Sequence, residues 1–170
     1  WTGAERTRSF AEFRLLAKLA ALRLPVPAPL AARYRRYGVH YTADLITRRI
    51  AAGETLAKCL HDGRADAAMM TAVGTTIAAF HSAGVWHADL NAHNILLVQQ
   101  RVYLIDFDRG ELRLPGAVWQ RDNLARLKRS LLKLGAADDG DLAFEHRLWQ
   151  PLMVAYERAA AAAPHAGART

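Results

Sequence analysis

The stretch His87-Ala88-Asp89-Leu90-Asn91-Ala92-His93-Asn94-Ile95-Leu96-Leu97, followed by Tyr103-Leu104-Ile105-Asp106-Phe107-Asp108, decides how this chain is read. A carboxylate is followed five residues later by an amide and, twelve residues beyond that, by a second carboxylate. Between Asn94 and Asp106 lie two apolar runs, 95–98 and 102–105, separated by Gln99-Gln100-Arg101. That pattern predicts a tight antiparallel hairpin, which would fix the separation of the two polar residues. Gly84-Val85-Trp86-His87 upstream is irregular. Asp89 is therefore expected on a surface loop carried by rigid elements.

Outward from the hairpin the pattern is mostly helical. Asp66 is placed to cap a helix with Met69, Met70, Val73, Ile77 and Phe80 at helical spacing and Gly84 as its stop. A short helix is expected from Thr55 to about His61. Leu124, Leu127, Leu131 and Leu134 line one side of a helix over 119–134, with basic residues opposite. A last helix is expected over about 141–163, fading into an Ala-rich tail that frays. Toward the start, Ser9-Phe10-Ala11-Glu12 reads as a capping box, with Phe13, Leu16, Leu19 and Ala20 on one helix face. Pro25, Pro27 and Pro29 end that helix in an extended connector. Tyr34, Tyr37, Val39, Tyr41, Leu45 and Ile46 alternate loosely about a turn at Gly38, which predicts two strands within 33–50. Ala51-Ala52-Gly53 is a small-residue break, a candidate hinge. The order is not a repeating βαβ one and contains no internal repeat. It predicts an α+β arrangement, a small sheet beside a mainly helical lobe.

Bulk properties bound the function classes. The chain has 170 residues, 52% hydrophobic and 23% charged, enough for a domain with a real core. No apolar run is long enough for a transmembrane helix, and residues 1–10 do not read as a secretory leader. The single Cys59 excludes an internal disulfide, suits a reducing compartment and reads as a small semi-buried hydrophobe. The net charge of +7 favours polyanionic partners. Arg33, Arg35 and Arg36 form one basic cluster and Arg48 and Arg49 another; Arg121, Arg126, Lys128, Arg129 and Lys133 form a third. Without zinc-finger spacing or an RNA-binding signature, nucleic acid is not expected. For any single cluster a solvated surface is the favoured reading.

The chemistry that an Asp-x4-Asn…Asp layout suits is phosphoryl transfer from ATP. Asp89 would orient an acceptor hydroxyl and take its proton, as the catalytic residue. Asn94 and Asp106 would supply hard oxygen ligands for Mg²⁺ on the phosphates. His87 would brace the loop by packing and hydrogen bonding. The alternative is structural: Asp89 and Asn94 as turn formers, Asp106 as a strand-end cap.

At these residues the chain resembles the protein-kinase-like superfamily. Within it, the stretch from Glu12 to about Leu134 resembles the bacterial lipopolysaccharide kinases, most nearly the branch acting on 3-deoxy-D-manno-octulosonic acid (Kdo). The narrower likeness rests on residues 87–96 and on Ile-Asp-Phe-Asp-Arg-Gly at 105–110. Residues 9–16 and 120–131 support it more weakly. The resemblance implies a kinase-like fold with a partial N-lobe and hinge over 1–52 and a C-lobe over 53–170. By the same resemblance Glu12 matches the helix glutamate that pairs with a phosphate-binding lysine, a role that competes with its place in the Ser9 capping box. Residues 48–53, Arg49 and Ala51 among them, would join the lobes and meet adenine through their backbone. Asp122 would anchor the catalytic loop from a helix below, or serve only as a helix-start carboxylate.

Departures from the protein-kinase pattern narrow the substrate. Ala88 replaces the Arg after His, Asn91 the usual Lys, and Asp108 the Gly of Asp-Phe-Gly. All three point toward a small-molecule or glycolipid kinase. Arg109 and Asp108 would then face the acceptor, with the Arg109 guanidinium clamping the Kdo carboxylate; alternatively Arg109 is a surface residue pairing with Glu111. No Gly-rich phosphate loop and no strand lysine precedes Glu12 in a chain that starts at Trp1. The expectation is therefore a truncated kinase with weak ATP affinity. The implied reaction is ATP- and Mg²⁺-dependent phosphorylation of a Kdo hydroxyl, the 4-OH, on a Kdo-containing lipid A precursor. The implied place is peripheral, on an anionic membrane surface at the cytoplasmic face of the inner membrane. The alternatives are a heptose or aminoglycoside-type phosphotransferase, or an inactive kinase-like binding module.

Overall fold

A computed structural model describes residues 7–38 and 40–163. Helix α1, Arg8–Ala21, opens two residues earlier than the Ser9 box predicts. Thr7 is its N-cap, in extended conformation, and its carbonyl accepts from Ala11 N–H at 3.0 Å. Ser9 is buried within the first turn, and its hydroxyl has no hydrogen-bond partner among the described residues. Glu12 is thus free to act elsewhere. The buried face of α1 is Leu15, Leu16 and Leu19, whereas Ala20, expected to be inside, is exposed.

After α1 the proline connector runs extended and is seated on the central hairpin by Leu104 N–H donating to the Pro25 carbonyl at 3.1 Å. Strands β1 (Pro29–Tyr37) and β2 (His40–Thr47) pair antiparallel, turning at Gly38 with φ +59°. The two predicted strands are present. Val39, counted in their alternation, lies outside the described residues. The cross-strand pair Arg33–Asp44 is joined at 2.7 Å, and Phe10 of α1 meets Tyr34 edge-on.

Beyond the turn at Ala51-Ala52, β3 (Glu54–Thr55) leads into α2 (Leu56–His61), whose N-cap Thr55 accepts from Lys58 N–H. Asp66 caps α3 (Ala67–Ser82) in the predicted way, accepting from Met69 N–H at 2.8 Å. Strand β4 is Val85–Trp86. Strands β5 (Ile95–Val98) and β6 (Arg101–Leu104) form the predicted hairpin, closed by Gln99 and Gln100 alone. Arg101, expected in the loop, pairs with Val98. The sheet order is β3-β5-β6, and β4 pairs with β7 (Glu111–Leu112), all antiparallel. Helix α4 runs Ala117–Lys133.

The last predicted helix is divided into α5 (Asp141–Phe144), a π-helical turn (Glu145–Trp149) and α6 (Gln150–Ala162). Pro151 at the start of α6 lacks an N–H and crowds the preceding turn, which the wider π turn relieves. The tail expected to fray lies outside the described residues from 164 on. Small antiparallel sheets beside a helical layer give the predicted α+β class.

One apolar cluster runs through the whole, from Leu15, Leu16 and Leu19 across Ile77, Phe80 and Phe107 to Leu127 and Leu152. Helices α3 and α6 approach closely enough that a Cβ on Gly74 would lie 2.1 Å from the Leu152 carbonyl oxygen. Gly74→Ala is expected to destabilise by about 1–3 kcal/mol or more, read by urea unfolding.

His81, on the same helix, is buried against Tyr156, whose hydroxyl lies 3.0 Å from its Nδ1. Burial pushes its pKa from 6.5 down to about 4. Between those values the unfolded chain holds a proton that the folded one refuses. Stability should therefore fall as pH drops from 6.5 toward 4, by up to about 1.4 kcal/mol per pH unit from this group. Denaturation midpoints across that range check it, with His81→Gln expected to flatten the slope.

Candidate active site

The loop 87–94 is built from its own short polar side chains and then fastened to its surroundings. Asn91 Oδ1 accepts from His93 N–H (2.8 Å) and Asn94 N–H (3.2 Å), starting the 3-10 turn Ala92–Asn94. Its Nδ2 donates to the Asp89 carboxylate at 2.9 Å. Asn94 Nδ2 donates to the Asp89 carbonyl at 2.9 Å, which leaves Oδ1 as the atom able to meet a cation. His87 is buried; its Nε2 lies 3.0 Å from the Ile105 carbonyl, and its Nδ1 accepts from Asp89 N–H at 3.1 Å. The second bond requires an unprotonated Nδ1, so the ring is the neutral Nε2–H form. Burial lowers the pKa of His87 in agreement with that.

The expected anchor from the helix below is displaced by one residue. Asn123, not Asp122, holds the loop: its Oδ1 accepts from His87 N–H (3.2 Å) and its Nδ2 donates to the His87 carbonyl (3.0 Å). One residue on a helix is a rotation of about 100°, which puts Asn123 on the buried stripe with Leu124 and Leu127 and leaves Asp122 exposed. Ser130 on the same helix accepts from Ala92 N–H at 3.1 Å. The visible signal for Asn123 was an amide interrupting the apolar face of α4.

Asp106 follows the hairpin with φ +61°, a left-handed conformation unusual for a residue with a Cβ. It is held there from both sides. Ile105 N–H donates to the Asn94 carbonyl at 3.0 Å, while the Ile105 carbonyl is the partner of His87. The next residue, Phe107, is buried against Phe80 and His87, and its N–H donates to Glu12 Oε1 at 3.1 Å. Glu12 thus binds the segment that follows Asp106 and not the start of its own helix. Burial first, then the Asp106 and Asp108 carboxylates, raises its pKa. Arg8 reaches Asp108 at 2.6 Å. Arg109, also at φ +61°, is largely exposed, 3.8 Å from Asp108; Glu111 pairs instead with Arg113.

Two cavities meet at Asp106. A cleft of about 360 Å³ is walled by Glu12, Leu45, Arg49, Leu96, Ile105 and Asp106. Arg49 lines it, whereas Ala51 stands past it, exposed, in the turn. A second cavity of about 470 Å³ is lined by Ala88, Asp89, Asp106, Asp108, Arg109 and Arg126, with Trp86 at its edge. The cation nearest Asp89 is Arg126 of α4, at 3.4 Å, a contact the sequence gave no reason to expect.

Among the described residues no group of three or more His, Cys, Asp or Glu side chains could enclose a metal ion. The donor set here is different: one amide oxygen and one carboxylate, which suits a cation taking its other ligands from phosphates and water. The residues fit Mg²⁺ in that role.

The chain is similar to several known proteins. The lipopolysaccharide kinase (Kdo/WaaP) family model matches residues 1–156. A 3-deoxy-D-manno-octulosonic acid kinase of Xylella fastidiosa (strain 9a5c) is 47% identical over 160 residues, 94% of this chain and 63% of that protein. One of Xanthomonas euvesicatoria pv. vesicatoria (strain 85-10) is 54% identical over 136 residues, 79% of this chain and 54% of that protein. The chain therefore spans between half and two thirds of these relatives. A solved structure, WaaP in complex with acyl carrier protein, superposes with a TM-score of 0.64 at 20% identity, covering 88% of this chain and 66% of that one.

Asn123→Ala leaves the buried His87 N–H and carbonyl without partners and should cost roughly 2–4 kcal/mol in chemical denaturation. Asp122→Ala should change stability by less than about 0.5 kcal/mol.

Proposed function

Since the chain belongs to the lipopolysaccharide kinase (Kdo/WaaP) family, we propose that it transfers the γ-phosphoryl group of ATP to a hydroxyl of Kdo, the 4-OH, on a Kdo-containing lipid A precursor. The observation that carries this reading is Asp106 standing between two cavities, with Asp89 lining one and Glu12 the other. A nucleotide in the cleft of Glu12 and Arg49 would bring its phosphates to Asp106. An acceptor in the second cavity would bring its hydroxyl to Asp89.

Asp89 is suited to the base because its carboxylate is exposed to that cavity and oriented from both sides, by Asn91 Nδ2 and by Arg126. Mg²⁺, held by Asn94 Oδ1 and Asp106, would neutralise charge on the phosphate oxygens. Glu12 fixes the Phe107 backbone and thereby the direction in which Asp106 leaves the hairpin. With Ala88 following His87, the loop offers no arginine of its own for an activating phosphate, in keeping with a small-molecule acceptor.

The basic faces support work at an anionic membrane surface: Arg33, Arg35 and Arg36 lie exposed on β1. Among the described residues no helix is long and apolar enough to cross a membrane. Peripheral association with the cytoplasmic face of the inner membrane follows from the acceptor and these charges.

Incubating the full-length protein with Mg²⁺-ATP and Kdo-lipid A precursor should add one phosphoryl group to the acceptor, detected by mass spectrometry. Asp89→Ala should lower the rate by about 10²–10⁴-fold with unchanged circular dichroism. Metal-dependent ATP binding without product would discard Kdo as the acceptor. Undiminished product from the variant would remove Asp89 as base.

A further inference from the structure

The acceptor cavity does not end at Asp89. It continues into a second hollow of about 370 Å³, lined by Arg113, Trp119, Asp122 and Arg129, and the two share Trp86 and Arg126. The result is one trough with opposite charge at its two ends. Asp89, Asp106 and Asp108, with Arg109 beside them, line the end nearest the proposed chemistry, while Arg113, Arg126 and Arg129 face the other, where Asp122 lines the hollow and Glu111 pairs with Arg113.

The basic end is shaped in advance. Strands β4 and β7 place Trp86 opposite Glu111, and the Arg113 guanidinium lies 3.7 Å from the Trp86 ring centroid. Glu111 holds the same guanidinium at 3.0 Å, so Arg113 is fixed on an aromatic face. Its backbone is fixed as well, since Arg113 N–H donates to the Gly84 carbonyl at 2.7 Å. A Cβ at residue 84 would stand 2.2 Å from the Arg113 carbonyl oxygen, so only glycine permits this approach. Arg129 is exposed, and among the described residues it takes part in no ion pair given by the structure. Arg126 sits at the junction, lining both hollows with its Nη1 3.4 Å from Asp89.

We propose that Arg113 and Arg129, with Arg126 at the junction, form a seat for an oxyanion of the acceptor, a carboxylate or a phosphate, remote from the hydroxyl presented to Asp89. The inference rests on the phosphoryl-transfer reading above and gives that reading its substrate polarity. Planar guanidiniums suit either anion through paired N–H donors. A single oxyanion at the basic end and a hydroxyl at the acidic end would align an acceptor along the trough in one direction only. Arg113 and Arg129 are positioning residues and touch no reacting atom.

The test measures affinity and turnover separately. Binding of Kdo-lipid A precursor to the full-length protein is measured by calorimetry for wild type, Arg129→Ala, Arg129→Lys and Arg113→Ala/Arg129→Ala. Rates are measured in parallel against acceptor and against ATP. The double variant should weaken acceptor binding and raise acceptor KM by tenfold or more. The KM for ATP and kcat should stay within twofold, and Arg129→Lys should recover part of the loss. Repeating the series with dephosphorylated precursor separates the sources: an unchanged penalty assigns the seat to the sugar-acid carboxylate, and a vanished one to phosphate. If wild type binds the precursor and the double variant does not, while neither forms product, the seat stands and the kinase reading falls. If the double variant binds as wild type does, or wild type binds no precursor, the seat is overturned whatever the turnover.

Discussion

The His87 imidazole joins the two segments on which the site depends. One ring nitrogen meets the Ile105 carbonyl, next to Asp106, and the other accepts from the backbone of Asp89. A protonated ring would present a second donor toward the Asp89 N–H and lose that bond, so the arrangement requires neutrality, and burial enforces it. Asn123 clamps the same residue from α4, and Asn94 closes the loop on the Asp89 carbonyl. Together these bonds over-determine the backbone around Asp106. Its left-handed conformation, a cost of about 1–3 kcal/mol, can persist under that constraint.

The other constraint comes from the start of the chain. Glu12 accepts from Phe107 N–H across 95 positions of sequence, while Phe107 itself is locked between Phe80 and His87. Arg8 adds a contact to Asp108, worth little by itself because both side chains are partly exposed. Helix α1 is thereby tied to the segment carrying Asp106. The cleft on the Glu12 side and the cavity on the Asp89 side share Asp106 in their walls. A displacement of α1 would be felt in both.

In the cavity lined by Asp89 the arginines come from outside the loop 87–94. Ala88 is small and lines the cavity, and the guanidinium that reaches Asp89 is supplied by α4. The short β4–β7 pairing, permitted by Gly84, sets Trp86 and Arg113 beside it. The same helix that buries Asn123, Leu124 and Leu127 thus turns Arg126 and Arg129 toward the trough.

Much of this was legible in the sequence because it is local. The Asp66 cap, the short helix after Thr55, the turn at Gly38, the hairpin between Asn94 and Asp106 and the apolar stripe of α4 are set by neighbours within about one helical turn or across one tight turn. The Asp-x4-Asn…Asp spacing was legible for the same reason. What tertiary structure alone decided are the long-range partners. Glu12 had equal claims to a cap and to the site until packing brought Phe107 to it. Asp122 and Asn123 differ by one position, and only the direction in which α4 faces the core selects the amide. The trough of Trp86, Arg113, Arg126 and Arg129 gathers side chains from β4, α4 and the segment that follows β7. No periodicity encodes such a meeting, because it is fixed by how the burial of apolar faces orients each element against the others.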